Sequence, residues 1–358
     1  MRHLKLRTVQ PFADETMSSW LIRSSLYQGC DTLTFASKIW DKQRVWTTDF
    51  ERYLSFNSLQ ALADATGLEL DSLDQMLLIH QAKLHNLAFN QNSAIWAWII
   101  CQGLRNRQKS VGQSFCPHCF AESNVYLKRE WRMAWATTCP KHQILLQDKY
   151  IKCGFLFHPA KLTGFEKSMA VCHHCGHDVS ENQCVAAHSE IQQVIQNGIK
   201  HGFTYLYQPI DMATWFATVK GFISLIRKAA TKPESHLANM LYDLGISKSN
   251  LISPETAGVF EWLPIHERHN LMQNTSILMQ HKISQLVTIA ERNQVSANTI
   301  RNAMEKKVPK TLMELVNQLE VNNKLISKRS TEIKPLSEQA VMRKWARLQR
   351  KIDRIMSS

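Results

Sequence analysis

The residues of this sequence best placed to do chemistry are cysteines and histidines at short, paired spacing. Cys116 and Cys119 form a C-P-H-C pair, and nineteen residues later Cys139 and His142 form a C-P-K-H pair. A C-x-x-C turn sets two sulfurs on one side of an ion, and zinc takes four thiolate or imidazole ligands in a tetrahedron. The second pair closes the set, so Cys116, Cys119, Cys139 and His142 are expected to hold a structural zinc ion. A redox C-x-x-C fits less well, because the partner pair contains a histidine and no thioredoxin-like alternation of strand and helix surrounds it. A module this small would lack enough core to fold without metal.

A second cluster follows, with Cys153, His158, Cys172 and Cys175, in which C-H-H-C-G again supplies a ligand turn. Its upstream half is less regular. Leu156 stands where a C-x-x-C partner of Cys153 would fall, so His158 is chosen as the fourth ligand, with His173, His177 and Cys184 as alternatives. Two zinc ions are therefore expected. Seven of the nine cysteines lie between Cys116 and Cys184, which is unlike a dispersed disulfide framework. Cys30 and Cys101 stand apart in apolar, helical surroundings and read as small buried thiols.

Catalytic signatures are missing. A catalytic zinc keeps an open coordination position and a nearby base, whereas the first cluster has four full ligands, and no H-E-x-x-H occurs. His188-Ser189-Glu190 gives an H-x-E, without the P-C-x-x-C that completes a deaminase signature. No P-loop, G-x-G-x-x-G or G-x-S-x-G segment is present, and 12 glycines leave little for phosphate-cradling loops. The chain reads as a protein that binds other macromolecules, not as an enzyme.

The elements that must position these ligands are mainly helices. At 358 residues and 44% hydrophobic composition the chain can build two or three cores. From 14 to about 106 the sequence reads as helices joined by short loops. Asp14 is placed to cap the first, whose Met17, Trp20 and Leu21 recur at helical spacing. Ser58 would cap a helix through Ala65, Gly67 would end it, and a second helix would run over 68–79; this pair resembles a helix-turn-helix. With Asp71 and Asp74 and no basic residue, that second helix suits packing or a protein partner rather than phosphates. Residues 103–110, with Arg105, Arg107 and Lys109, have linker composition and put a boundary near 108. After Glu181 helices are expected over 191–201 and 213–228, the latter with Trp215, Phe216, Val219, Phe222, Ile223 and Ile226 on a core face. The expected organisation is thus a helical domain over 1–108, tandem zinc modules over 109–185, and a helical domain over 186–358.

Within 283–304 the pattern again matches a helix-turn-helix: a first helix ending at Arg292, a turn at Asn293-Gln294-Val295, and Ser296 capping a second helix. Ser296, Asn298, Thr299 and Arg301 are the candidate nucleic-acid contacts. The net charge is +13, and from residue 281 to the end 16 Lys+Arg face 7 Asp+Glu, so most of the surplus is C-terminal. Such a surplus favours polyanions. The segment RKWARLQRKIDRI reads as a basic amphipathic helix with Trp345, Leu348, Ile352 and Ile355 on its apolar side. No window of about 18 apolar residues exists and the opening MRHLKLRTVQPFADE lacks the core of a secretory signal, so a cytoplasmic protein without a membrane partner is expected.

The run FCPHCFAESNVYLKREWRMAWATTCPKHQILL resembles the signature of the TniQ/TnsD family of transposition proteins, in which a C-P-x-C pair, an aromatic and arginine-bearing connector and a C-P-x-H pair follow one another. PFADETMSSWLIRSSLYQG is similar to the family's opening segment. The resemblance implies that Tyr126, Trp131 and Trp135 pack against the zinc modules. It further implies target-site selection in transposition, with an AAA+ regulator (TnsC-like) as partner. Short members of the TniQ type ride on an RNA-guided Cascade effector of a CRISPR-associated transposon, often as a homodimer. Longer members of the TnsD type bind an attachment site in target DNA themselves. Chain length points to the first; the C-terminal helix-turn-helix and basic tail point to the second.

Overall fold

Thr16, not Asp14, starts the first helix. The Thr16 side chain accepts the Ser19 amide hydrogen at the N-terminus of α1 (Met17–Tyr27). Glu15 is still extended, bridged to Lys128, and Asp14 instead accepts the Tyr126 hydroxyl at 2.9 Å. The structure is a computed structural model that describes residues 5–321 apart from 42, 86, 88, 90–92, 94, 103–111, 123, 207, 254–257 and 305–306, together with 342, 345 and 349. The expected linker at 103–110 lies outside the described residues.

After α2 (Thr32–Ile39) comes α3 (Phe56–Thr66), capped by Ser55, whose hydroxyl accepts the Ser58 amide hydrogen; the cap thus sits three residues before the one expected. Gly67 ends α3 in the left-handed region at φ 76°, where a Cβ would be strained. The single helix expected over 68–79 is two: α4 (Leu70–Asp74) and α5 (Leu78–Leu84). Leu77 between them is extended, and the Leu78 amide donates to the Glu51 carbonyl at 2.7 Å. Leu73, Met76, Leu77 and Leu78 are all buried. One straight helix cannot turn adjacent residues of such a run toward the same core, so the break lets all four pack.

The cysteine-bearing segment contributes α6 (Pro117–Phe120) and a two-stranded antiparallel pair, β1 (Thr138–Cys139) and β2 (Ile144–Leu145), with Cys139 opposite Ile144. Beyond it lie α7 (Glu190–His201), then a hairpin of β3 (Phe203–Leu206) and β4 (Gln208–Asp211). Helical patterning gave no sign of this hairpin; Pro209 falls inside β4. The remaining helices are α8 (Met212–Ala230), α9 (His236–Asp243), α10 (Ile265–Met279), α11 (Ile283–Arg292), α12 (Ala297–Ala303) and α13 (Lys310–Gln318). The protein is mainly α. The expected stripe on α8 from Trp215 to Ile226 is fully buried. Among the described residues no helix is long and apolar enough to cross a membrane.

Two compact units divide the chain, Met1–Glu320 and Val321–Ser358. Inside the first, the three expected segments share a core. The Trp98 ring lies 5.1 Å from Phe216, its amide donates to Glu261 at 2.8 Å, and Arg268 donates to the Ala134 carbonyl at 2.7 Å. Arg132, almost wholly buried, ties the N-terminal helices to the cysteine segment: it donates to Asp49 at 2.7 Å, to the Ile100 carbonyl at 2.8 Å, and pairs with Glu51. In the second unit the basic helix expected over 343–355 lies outside the described residues, save Trp345 and Gln349, which are helical and exposed.

Candidate metal centres

The first centre is assembled from two tight turns. Cys116 caps α6, with Pro117 at its first position, and the Cys119 amide donates to the Cys116 sulfur at 3.4 Å. This points both sulfurs to one side. From across the centre β1 carries Cys139, and the turn that follows has Gln143 at φ 50° with its amide bonded to the Cys139 carbonyl at 2.8 Å, which swings His142 back beside its neighbour.

The four ligand atoms converge. The Cys119 and Cys139 sulfurs are 3.7 Å apart, and His142 Nδ1 lies 3.4 Å from Cys116, 3.4 Å from Cys119 and 3.6 Å from Cys139. Ligands about 2.3 Å (sulfur) and about 2.0–2.1 Å (nitrogen) from zinc stand about 3.8 Å apart sulfur to sulfur and about 3.6 Å sulfur to nitrogen in a tetrahedron. The spacing therefore suits a zinc-sized tetrahedral ion. Without a cation these crowded thiols do not all ionise: hydrogen bonds with Cys119 and Cys139, then burial, push the Cys116 thiol far up, while hydrogen bonds with Cys116 and Cys119 hold Cys139 down as the thiolate of the set. A metal would reverse that balance. Behind the imidazole, His142 Nε2 is 3.1 Å from Glu122, which also pairs with Lys141 at 2.6 Å. Sequence reading missed Glu122, since nothing in its spacing distinguishes it from any surface carboxylate.

The aromatic connector divides its labour. Trp131 is buried with its ring 6.3 Å from Phe120 of α6, next to the centre. Trp135 is buried against His85 at 5.8 Å. Tyr126 departs from expectation and packs on Phe12 at 4.5 Å, so it joins the centre's segment to the chain entering α1.

At the second cluster the structure brings together Cys153, Cys172 and Cys175, with ligand atoms within 4.8 Å of one another and the Cys153 and Cys172 sulfurs 3.7 Å apart. His158 is not among them. It lines a small cavity with Ser18, Asp49, Glu51, Gln102 and Gln113, where burial, with the Lys161 and His173 charges beside it, pushes its pKa down to about 4. The hairpin of 149–156 ends at Leu156, and the chain then enters the core at buried Phe157, which carries His158 away from the thiols. The alternatives are placed elsewhere too. Cys184 donates to the Asn182 carbonyl at 3.4 Å, and His177 Nε2 bonds Asn182 Oδ1 at 2.9 Å. Cys30 and Cys101 are half-buried and apart from both clusters, with burial raising each thiol.

Comparison with known proteins turns on the first centre. Residues 6–146 match the TniQ family. The chain carries a TniQ domain. Its limits run from just before α1 to the end of β2, so the N-terminal helices and the first metal centre belong to it, while the second cluster and α7–α13 lie beyond. The protein is thus associated with transposition. No curated protein matches the chain.

Outside the TniQ domain the C-terminal helix-turn-helix is present: α11, a turn with Gln294 in the left-handed region at φ 55°, then α12. Ser296 and Thr299 are spent largely on the cap, since the Ser296 hydroxyl accepts the Thr299 amide at 3.3 Å and sits 3.1 Å from the Thr299 hydroxyl. Asn298 and Arg301 are half-exposed on the same short helix. Ile300 and Ala297 turn inward and are fully buried.

Proposed function

We propose that this protein is a target-selection adaptor for a transposon with a separate transposase. In this reading it links an RNA-guided Cascade effector and its guide RNA to an AAA+ regulator of the TnsC kind, acts in the cytoplasm as a homodimer, and performs no catalysis. The TniQ match over 6–146 carries the reading. The two cysteine clusters serve it as structural zinc centres, the first with a donor set and spacing that suit zinc. Exposed apolar side chains support a docking role. Tyr27 and Leu33 are 66% and 64% exposed and Phe165 is 94% exposed. Phe165 is brought to the α1–α2 turn because Gly164 packs on the Cys30 backbone so closely that a Cβ would fall 2.6 Å from its carbonyl carbon.

Affinity purification of the full chain with a co-expressed Cascade effector, guide RNA and AAA+ regulator tests the reading. Co-elution with both partners is expected; elution with neither contradicts it. A second reading, direct recognition of an attachment site in the manner of TnsD proteins, is favoured by α11–α12 and by the half-exposed Asn298 and Arg301. Titration against a candidate and a random duplex at two salt concentrations separates the two. Sequence-specific binding keeps a preference as salt rises, whereas phosphate contacts alone bind both duplexes equally and collapse.

A further inference from the structure

The strand that brings Cys139 to the first centre is completed by residues outside the TniQ domain. Thr137 and Thr138 lead into Cys139 and both are buried, so the backbone groups that β2 leaves free have no water to pair with. One side chain satisfies them. Gln192 Oε1 accepts the Thr137 amide at 3.0 Å, the Thr138 amide at 3.1 Å and the Thr138 hydroxyl at 3.1 Å, and Gln192 Nε2 donates to the Thr138 carbonyl at 3.0 Å. A primary amide carries an acceptor and a donor side by side, which lets it stand in for a neighbouring strand.

Gln192 is itself held in place. It lies in the first turn of α7, where the capping Ser189 hydroxyl accepts the Gln192 amide at 3.3 Å, and it is 1% exposed. The chain just before α7 grips the other side of the same hairpin. The Ala187 amide donates to the Gln143 carbonyl at 3.0 Å and the Leu145 amide donates to the Val185 carbonyl at 2.9 Å, so residues 185–187 run beside β2. Gln143 directly follows His142 and has the left-handed conformation that turns the chain there. Thr138 before Cys139 and Gln143 after His142 are thus both fixed by the segment 185–192. Cys116 and Cys119, by contrast, are set within their own turn, through the Cys119 amide on the Cys116 sulfur.

We propose that Gln192 is a positioning residue of the first metal centre: it aligns the Cys139 and His142 half of the ligand set against the C-P-H-C turn, so that metal affinity depends on the seating of α7. The inference rests on the reading of the first cluster as a zinc centre. Ligands held in place before the ion arrives cost less to order on binding, and groups behind the ligands set how tightly the metal is held. Removing the Gln192 amide leaves two buried N–H groups of the ligand strand unpaired, and the strand moves to satisfy them.

The test uses the full chain with Cys175→Ser as the parent, which leaves the first centre as the metal site to be measured. Gln192→Leu is compared with Ile195→Ala, which truncates a fully buried apolar side chain of the same helix and leaves the β1 hydrogen bonds in place. Chelator competition reads zinc affinity, the visible spectrum of the cobalt-loaded chain reads ligand geometry, and thermal unfolding reads the fold. Gln192→Leu should lower zinc affinity by about tenfold and shift the cobalt bands. Ile195→Ala should lower the thermal midpoint while keeping the parent's affinity and spectrum. Parental affinity and spectrum in folded Gln192→Leu overturn the inference. So does an equal loss of affinity in Ile195→Ala, because the metal would then sense helix packing in general. Gln192→Asn, which keeps the amide but withdraws it by one methylene, replaces the leucine variant should that one fail to fold, with the same expected and overturning results. A parent chain that takes up neither metal shows instead that the zinc reading fails, and the inference falls with it.

Discussion

His142 Nε2 lies 3.1 Å from a Glu122 carboxylate oxygen, so the imidazole whose Nδ1 faces Cys116, Cys119 and Cys139 is held from behind by a negative charge. Such a partner fixes the tautomer that leaves Nδ1 free to ligate and raises its basicity.

Replacing Glu122 with alanine should therefore weaken zinc at the first centre. Outer partners of ligating histidines are worth about 10–100-fold in metal affinity, and the solvent exposure of Glu122 places it near about tenfold. Chelator competition measures it. An affinity equal to wild type would show that the carboxylate is idle.

Arg132→Met should destabilise the first unit severely. It removes the central cation from a buried cluster, taking from Glu51 its Arg132 partner and leaving Asp49 with Arg52 at 3.5 Å, for a loss of about 3–5 kcal/mol. Denaturant unfolding followed by tryptophan fluorescence would report it. A shift below about 1 kcal/mol would mean that water reaches the carboxylates.

His158 predicts a pH dependence. Its folded pKa, about 4, lies below the ordinary histidine value of about 6.5, so between these limits the unfolded chain binds more protons. Stability from this group is complete above about pH 6.5 and falls as pH drops toward 4. His158→Gln should flatten that part of the profile in thermal unfolding. An unchanged slope would show that His158 does not carry the acid sensitivity.

Arg301→Ala should lower affinity for duplex DNA if α12 meets it, with the salt slope reduced by about one if the contact is to phosphate. Filter binding at several salt concentrations reads both quantities. Identical binding by variant and wild type would leave α11–α12 as a packing element.

The parts legible in sequence were those set by local chemistry. The C-P-H-C and C-P-K-H turns specify their own geometry, Gly67 declares the left-handed end of α3, and the Trp215 to Ile226 stripe declares the buried face of α8. Less legible were features decided by distant contacts. Asp14 lost the cap of α1 because Tyr126 engages its carboxylate and the bridge to Lys128 keeps Glu15 extended, so that the helix starts only after Thr16. The helix over 68–79 broke because Glu51 captures the Leu78 amide. His158 was chosen by proximity in sequence, but the buried Phe157 beside it draws the chain into a different cavity.

The most direct test of the central claim is the metal content of the purified chain, by elemental analysis against protein concentration, with Cys119→Ser and Cys172→Ser measured alongside. Two zinc ions per chain are expected, with the loss of one in each variant. A wild-type chain that folds and binds its partners with no stoichiometric metal would contradict it.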